Sequence, residues 1–179
     1  YTPHGFSFLM RCGSVPRRFY QLVESALAGW TSALIAVSTE ESQAALLIGY
    51  PPERVRLIRN GVEPCDTAEV VVRESDTLQV GFFGRLSPQK SPETLLDAIA
   101  DVVAHIPKTH FNLYGAGKLA PKLAKKIQSS DLAKHVRIMG AYAQDEAVAK
   151  MRQMDVVAVP SLWEGCPYVV LEAFQAHRF

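Results

Sequence analysis

The chain has 179 residues, 48% of them hydrophobic and 21% charged, and its 19 basic and 18 acidic side chains leave a formal net charge of +1, an ordinary globular composition. The near-neutral balance excludes the basic excess that marks nucleic-acid binders, and no apolar run nears the ~20 residues that span a bilayer. Cys12, Cys65 and Cys166 are widely spaced and odd in number, which fits neither a disulfide framework nor a zinc site and points to a reducing cytoplasm.

The opening residues, YTPHGFSFLM, lack an initiator Met and the basic-then-apolar order of a signal peptide. The last residues, EAFQAHRF, stop where a helix is ending. Both ends read as cut, so a fragment of a longer protein is expected.

Within the first 60 residues, PRRFYQLVESALAGW predicts a helix and ALIAVS a buried strand. STEESQAALLIG predicts a helix opened by the capping box Ser38…Glu41, and RVRLIRN a further strand. The stretch 61–77, GVEPCDTAEVVVRESDT, has no clean period and reads as a linker. The expected organisation is therefore a partial N-terminal domain over 1–60, the linker, and a second domain over 78–179 truncated at its C-terminal end.

From Leu78 short apolar runs alternate with amphipathic ones. LQVGFF (78–83) predicts a strand ending at Gly84, and SPETLLDAIADVVAHIP a helix. Ser91 suits its N-cap, Pro92 its first position and Glu93 its positive end. Leu95, Leu96, Ile99, Val102, Val103 and Ile106 form one apolar stripe, with Asp97 and Asp101 on the opposite face. HFNLYG (strand), PKLAKKIQSS (helix), HVRIMG (strand), QDEAVAKMRQM (helix), DVVAVP (strand) and PYVVLEAFQAH (helix) follow. Continuous apolar strands alternating with helices imply an α/β protein with Rossmann-like parallel sheets covered on both faces. Such sheets bind ligands beyond the carboxyl ends of their strands, so the loops after Phe83, Tyr114, Met139 and Pro160 are expected to share one rim.

Three stretches of that rim carry chemistry. GFFGRLSPQK (81–90) puts Gly84 at a strand end and Arg85 and Lys90 in the following loop, near a helix start. Glycine permits close backbone approach, and two cations beside a helix N-terminus suit a diphosphate. Two solvated loop cations are the plainer alternative. LYGAGK (113–118) lacks the third glycine of a dinucleotide fingerprint, so a tight strand-to-helix turn explains it better. EGCPYVVLE (164–172) places Glu164 in the loop after a strand, Pro167 at a first helical position and Glu172 on the second turn, leaning back toward the loop. Two carboxylates there could accept hydrogen bonds from a polyhydroxyl ligand. Equally, Glu164 could serve the helix dipole and Glu172 lie exposed.

No Asp-x-Asp occurs and the five histidines show no ligand spacing, so no metal and no cofactor is expected. His4, before Gly5, reads as a structural polar histidine or a site residue. Cys166 is a small apolar filler rather than a nucleophile, for no histidine flanks it. Trp163 and Tyr142 suit packing at least as well as the border of a base or sugar.

Taken in order, TPHGFSF, IAVSTEE, LIRNGVEP, GFFGRLSPQK, LYGAGKL, VRIMGAY and VPSLWEGCPYVVLEA resemble the family 4 retaining glycosyltransferases of the GT-B fold. The resemblance implies a nucleotide-diphosphate-sugar donor held between two Rossmann-like domains, most of the donor domain being present. It implies that Arg85 and Lys90, with the turn at Gly84, hold the diphosphate and stabilise the departing nucleotide. Glu172 would bind the ribose hydroxyls and Glu164 the transferred sugar, with Gly165, Cys166 and Pro167 lining it. The loop Gly140, Ala141, Tyr142 would meet the base, and His4 would reach toward the sugar and phosphate. Transfer would retain configuration without metal. Where Pro167 stands the family often has Gly, and proline removes one backbone donor. The style of the motifs is nearest bacterial polysaccharide enzymes, which implies a glycan or lipid-linked acceptor, a cytoplasmic location and peripheral association with the inner face of the membrane. The truncated chain itself is expected to show no turnover. Another GT-B enzyme, an epimerase or a phosphorylase, and a non-catalytic nucleotide-sugar-binding module are the alternatives.

Overall fold

The computed structural model of the chain describes residues 1–10, 13–64 and 75–178. Cys12, Cys65 and most of the expected linker lie outside the described residues. The chain divides into two compact units, Tyr1–Gly61 with Trp163–Pro167, and Val62–Leu162 with Tyr168–Phe179.

The first unit pairs strand β1 (Leu34–Ala36) in parallel with β2 (Val55–Leu57), flanked by helices α1 (Ser14–Ala28) and α2 (Thr39–Leu47). The backbone of Tyr1 lies along β1, its carbonyl accepting from the Ile35 amide at 2.9 Å. The core holds Phe6, Phe8, Leu34, Ala36, Ala45 and Tyr50, with the rings of Phe6 and Phe8 stacked at 4.9 Å. The aromatic pair of TPHGFSF is thus structural. Ser38 caps α2, its Oγ accepting from the Glu41 amide at 3.1 Å. The return half of the capping box is shifted, because Glu41 accepts from the Val37 amide at 2.8 Å, one residue before the cap.

The second unit is a four-stranded parallel sheet in the order β5-β4-β3-β6, from β3 (Leu78–Phe83), β4 (Thr109–Tyr114), β5 (Val136–Gly140) and β6 (Val156–Val157). Helices α3 (Pro92–His105), α4 (Ala120–Gln128), α5 (Ala147–Met151) and α6 (Tyr168–Gln175) complete it. Alternation along β3 feeds two cores. Val80 and Phe82 join Leu96, Ile99, Leu113 and Leu123 on one face, while Phe83 joins Tyr114, Met151, Met154, Val169 and Ala173 on the other. The sheet is covered on both faces, although Gln79, Asn112 and Arg137 interrupt the apolar runs of its strands.

Several local expectations shift. Ser91 stands before α3 but makes no side-chain cap; its backbone is left-handed, φ 48°, and its hydroxyl pairs with that of Thr94 at 2.7 Å. Ile106 falls outside the buried stripe and is exposed, since α3 ends one residue earlier. The helix expected over 144–154 begins as a 3-10 turn, Gln144–Glu146, before α5. β6 has two residues rather than six. Pro167 precedes α6 instead of occupying its first position, a displacement of one residue.

Candidate functional site

All four strands of the second unit run the same way, so the segments after Phe83, Tyr114, Gly140 and Val157 leave one edge. The ladder continues past the strand ends. Gly84 N–H donates to the Tyr114 carbonyl at 3.0 Å, Gly115 N–H to Gly140 at 2.7 Å, Leu86 N–H to Ala116 at 2.9 Å, and Leu119 N–H back to Leu86 at 3.0 Å. Three rim loops are stitched together by main chain, with little freedom to drift.

That stitching explains LYGAGK. A Cβ on Gly115 would stand 1.8 Å from the Gly84 carbonyl oxygen, and one on Gly117 would stand 2.4 Å from that of Leu86. Both positions need glycine because another rim loop's backbone occupies the side-chain space.

Arg85 is exposed on the β3–α3 loop. Lys90 is half-buried, and its aliphatic chain crosses the Cα of Gly84, with Cδ 3.7 Å from where a Cβ would be. The loop therefore folds back on itself and carries both cations at the end of β3. Leu162 N–H donates to the Gln89 carbonyl at 2.8 Å, which ties the segment after β6 to the Lys90 loop within the second unit.

At β5, Leu113 pairs with Ile138 but Tyr114 with Gly140, so Met139 is an extra residue, bulged and exposed. Bulges re-aim the chain that follows them, here Gly140–Tyr142. Gly140 has φ 82°, Ala141 is exposed, and Tyr142 is half-buried edge-on to Phe83 at 5.7 Å and to Tyr114 at 6.3 Å. The Tyr142 ring packs on the core, and burial with the nearby Glu172 charge raises its hydroxyl pKa.

Glu172 is buried, 8% exposed, which rules out an exposed helical residue. Burial raises its pKa, and the hydrogen bond from Gln144 pulls it partly back. Gln144 Nε2 donates to Glu172 Oε1. Sequence reading missed Gln144: the pair is 28 positions apart, and nothing local to AYAQDE announces it.

Glu164, Gly165, Cys166, Pro167 and His4 belong to the first unit. Glu164 is exposed, Gly165 to Pro167 are half-buried, and Cys166 is a free thiol. The Cys166 carbonyl accepts from Asn60 Nδ2 at 2.7 Å, which gives the asparagine of LIRNGVEP a loop-holding role. His4 is exposed with φ 48°, next to Gly5 at φ 106°, a turn geometry that histidine tolerates better than most side chains. Among the described residues no group of three or more His, Cys, Asp or Glu is placed to hold a metal ion. No helix among them is long and apolar enough to cross a membrane.

The sequence profile of the family described as "Glycosyl transferases group 1" matches residues 77–179. The chain belongs to that family. A Klebsiella pneumoniae protein described as an uncharacterized 41.2 kDa protein of the cps region is 28% identical over 97% of this chain and 48% of its own length. The Escherichia coli UDP-Gal:alpha-D-GlcNAc-diphosphoundecaprenol alpha-1,3-galactosyltransferase is 27% identical over the same shares, 97% and 48%. The chain thus spans about half the length of these curated relatives. Among solved structures, Staphylococcus aureus TarM in a complex containing UDP superposes with a TM-score of 0.80 at 19% identity, covering 94% of this chain and 33% of that one. Anabaena HepE with UDP gives a TM-score of 0.76 at 24% identity, covering 99% and 51%. These likenesses establish two Rossmann-like parallel-sheet units of the GT-B type.

Proposed function

We propose that this chain is the donor-handling part of a glycosyltransferase that moves a sugar from a nucleotide-diphosphate-sugar to a glycan or lipid-linked acceptor in bacterial polysaccharide synthesis. The observation that carries the reading is the stitched rim, where one loop brings Arg85 and Lys90 to the end of β3 and a buried Glu172 is held by Gln144 from the segment after β5.

Cleaving the bond between sugar and diphosphate releases negative charge on the leaving oxygen. Arg85 and Lys90 neutralise that charge, and they act before it develops because the loop is already fixed; preorganised charge of this kind is the largest common term in catalysis. Glu172 is the acceptor for ribose hydroxyls. The Gly140–Tyr142 backbone meets the base, and Tyr142 walls that pocket with its ring edge. Glu164 accepts from hydroxyls of the transferred sugar, the Gly165–Cys166 backbone lines it, and Pro167 offers no amide to it. The resemblance assigns His4 to the sugar and phosphate. With the leaving group neutralised by cations the reaction needs no metal, and the resemblance to family 4 enzymes supports transfer with retention of configuration. Action at the inner face of the membrane follows from a lipid-linked acceptor.

The test is isothermal calorimetry of UDP-, GDP- and ADP-sugars with and without EDTA. Binding of one base class, unchanged by EDTA, is expected; no binding, or binding only with a divalent ion, overturns the reading. An epimerase would convert the donor without acceptor, which the same samples reveal by NMR.

A further inference from the structure

Glu172 presents a problem that its proposed role does not solve. A buried carboxylate pays for lost hydration unless donors replace it, and the ionised form is the one that offers both oxygens as strong acceptors. Gln144 Nε2 on its Oε1 is the side-chain donor it has. That amide sits in the 3-10 turn immediately after the bulged end of β5, two residues beyond Tyr142. It reaches from the loop proposed to meet the base to the helix proposed to meet the ribose.

We propose that Gln144 is a positioning residue of the nucleoside pocket, holding Glu172 ionised and in register with the Gly140–Tyr142 loop so that its other oxygen is left for the ribose hydroxyls. The inference rests on the ribose role given to Glu172 above. Base and ribose are joined by one bond, so a clamp that reads both needs its two walls fixed relative to each other. A hydrogen bond between the walls does this at the cost of one side chain. Of the other charged groups on the packed elements, Asp145 beside Gln144 is exposed. Lys150 on α5 pairs with Glu146 at 3.5 Å and lies 5.9 Å over the Tyr114 ring. Arg178 after α6 donates to the Arg152 carbonyl at 2.9 Å. Burial first, and then the Glu172 charge, raises the pKa of Tyr142. Gln144 is exposed on its outer side, so replacing it leaves both cores intact.

The experiment compares binding of UDP, GDP and ADP with that of their 2′,3′-dideoxy forms, from pH 5 to pH 8, in the wild-type protein and in Gln144→Leu. The wild type is expected to prefer the ribose form about tenfold, the scale of one hydrogen bond to a charged group. Q144L should lose most of that preference, bind the dideoxy form as before, and show the acid fall in affinity at a higher pH, because the carboxylate has lost its stabilising donor. A mere packing role would weaken both nucleotides alike and leave the pH midpoint in place. Preference and midpoint both unchanged in Q144L overturn the inference alone. A wild type indifferent to the ribose hydroxyls overturns the role of Glu172 and the inference with it. Should Q144L unfold by circular dichroism, Gln144→Met is read by the same outcomes.

Discussion

Glu164 and Glu172 stand eight positions apart in one short segment, yet they live in different surroundings. Glu164 is exposed in the stretch Trp163–Pro167, which groups with the first unit. Glu172 is buried on a helix of the second unit, with Gln144 on one oxygen. An exposed carboxylate stays open to water and suits a ligand group that arrives and leaves each turnover. A buried one must be maintained by its neighbours and suits a constant part of the donor, the nucleoside. On the proposed reading, the same residue type divides its work according to solvation.

The largest effect expected bears on what both carboxylates depend on. Arg85→Ala combined with Lys90→Ala should weaken UDP and UDP-sugar equally, by about 100-fold, two charge-assisted contacts being removed. Calorimetry with both ligands checks it, and a loss confined to the sugar nucleotide would move the cations away from the diphosphate. Next in size, Glu164→Ala should weaken the sugar nucleotide about tenfold and bare UDP hardly at all. Equal losses would erase the distinction between the two glutamates. Glu172→Ala should show the complementary pattern, a similar loss for both ligands that vanishes with dideoxyribose.

The smallest effect is on stability and concerns the buried Glu172. Because the folded-state pKa of Glu172 is raised by burial, the folded protein holds that proton more tightly than the unfolded chain. Stability from this site is therefore greatest in acid and falls as pH rises from the ordinary glutamate range through the raised folded value. Glu172→Gln should raise Tm at neutral pH, with the gap to wild type closing as pH falls through that window. Calorimetric melts across pH 4–8 measure it; a constant gap would mean that the carboxylate is not destabilised by burial.

Much of this frame could be read from residues alone. The alternation from LQVGFF onward announced a sheet covered on both faces, because strands alternating with amphipathic helices build a parallel sheet with helices on either side. Arg85 and Lys90 stood out because glycine, cations and a helix start fell within ten residues. What the sequence concealed were contacts that close over long separations. Gln144 meets Glu172 across 28 positions and Asn60 meets Cys166 across 106, and neither spacing has a period. Gly115 was legible as a tight turn but not as the seat of the Gly84 carbonyl, which requires knowing that two loops lie against each other. Ser91 shows the opposite failure: its residue type and place promised a cap, and a left-handed backbone turned the hydroxyl to Thr94 instead.

The central claim, that the second unit's rim is built for a nucleotide-diphosphate-sugar, is tested most directly by titrating the protein with UDP-, GDP- and ADP-sugars in EDTA. The account predicts saturable one-to-one binding of one base class, competed by the matching nucleoside diphosphate and weakened by Arg85→Ala. Absence of binding to every member of the panel, or binding that Arg85→Ala leaves intact, would contradict it.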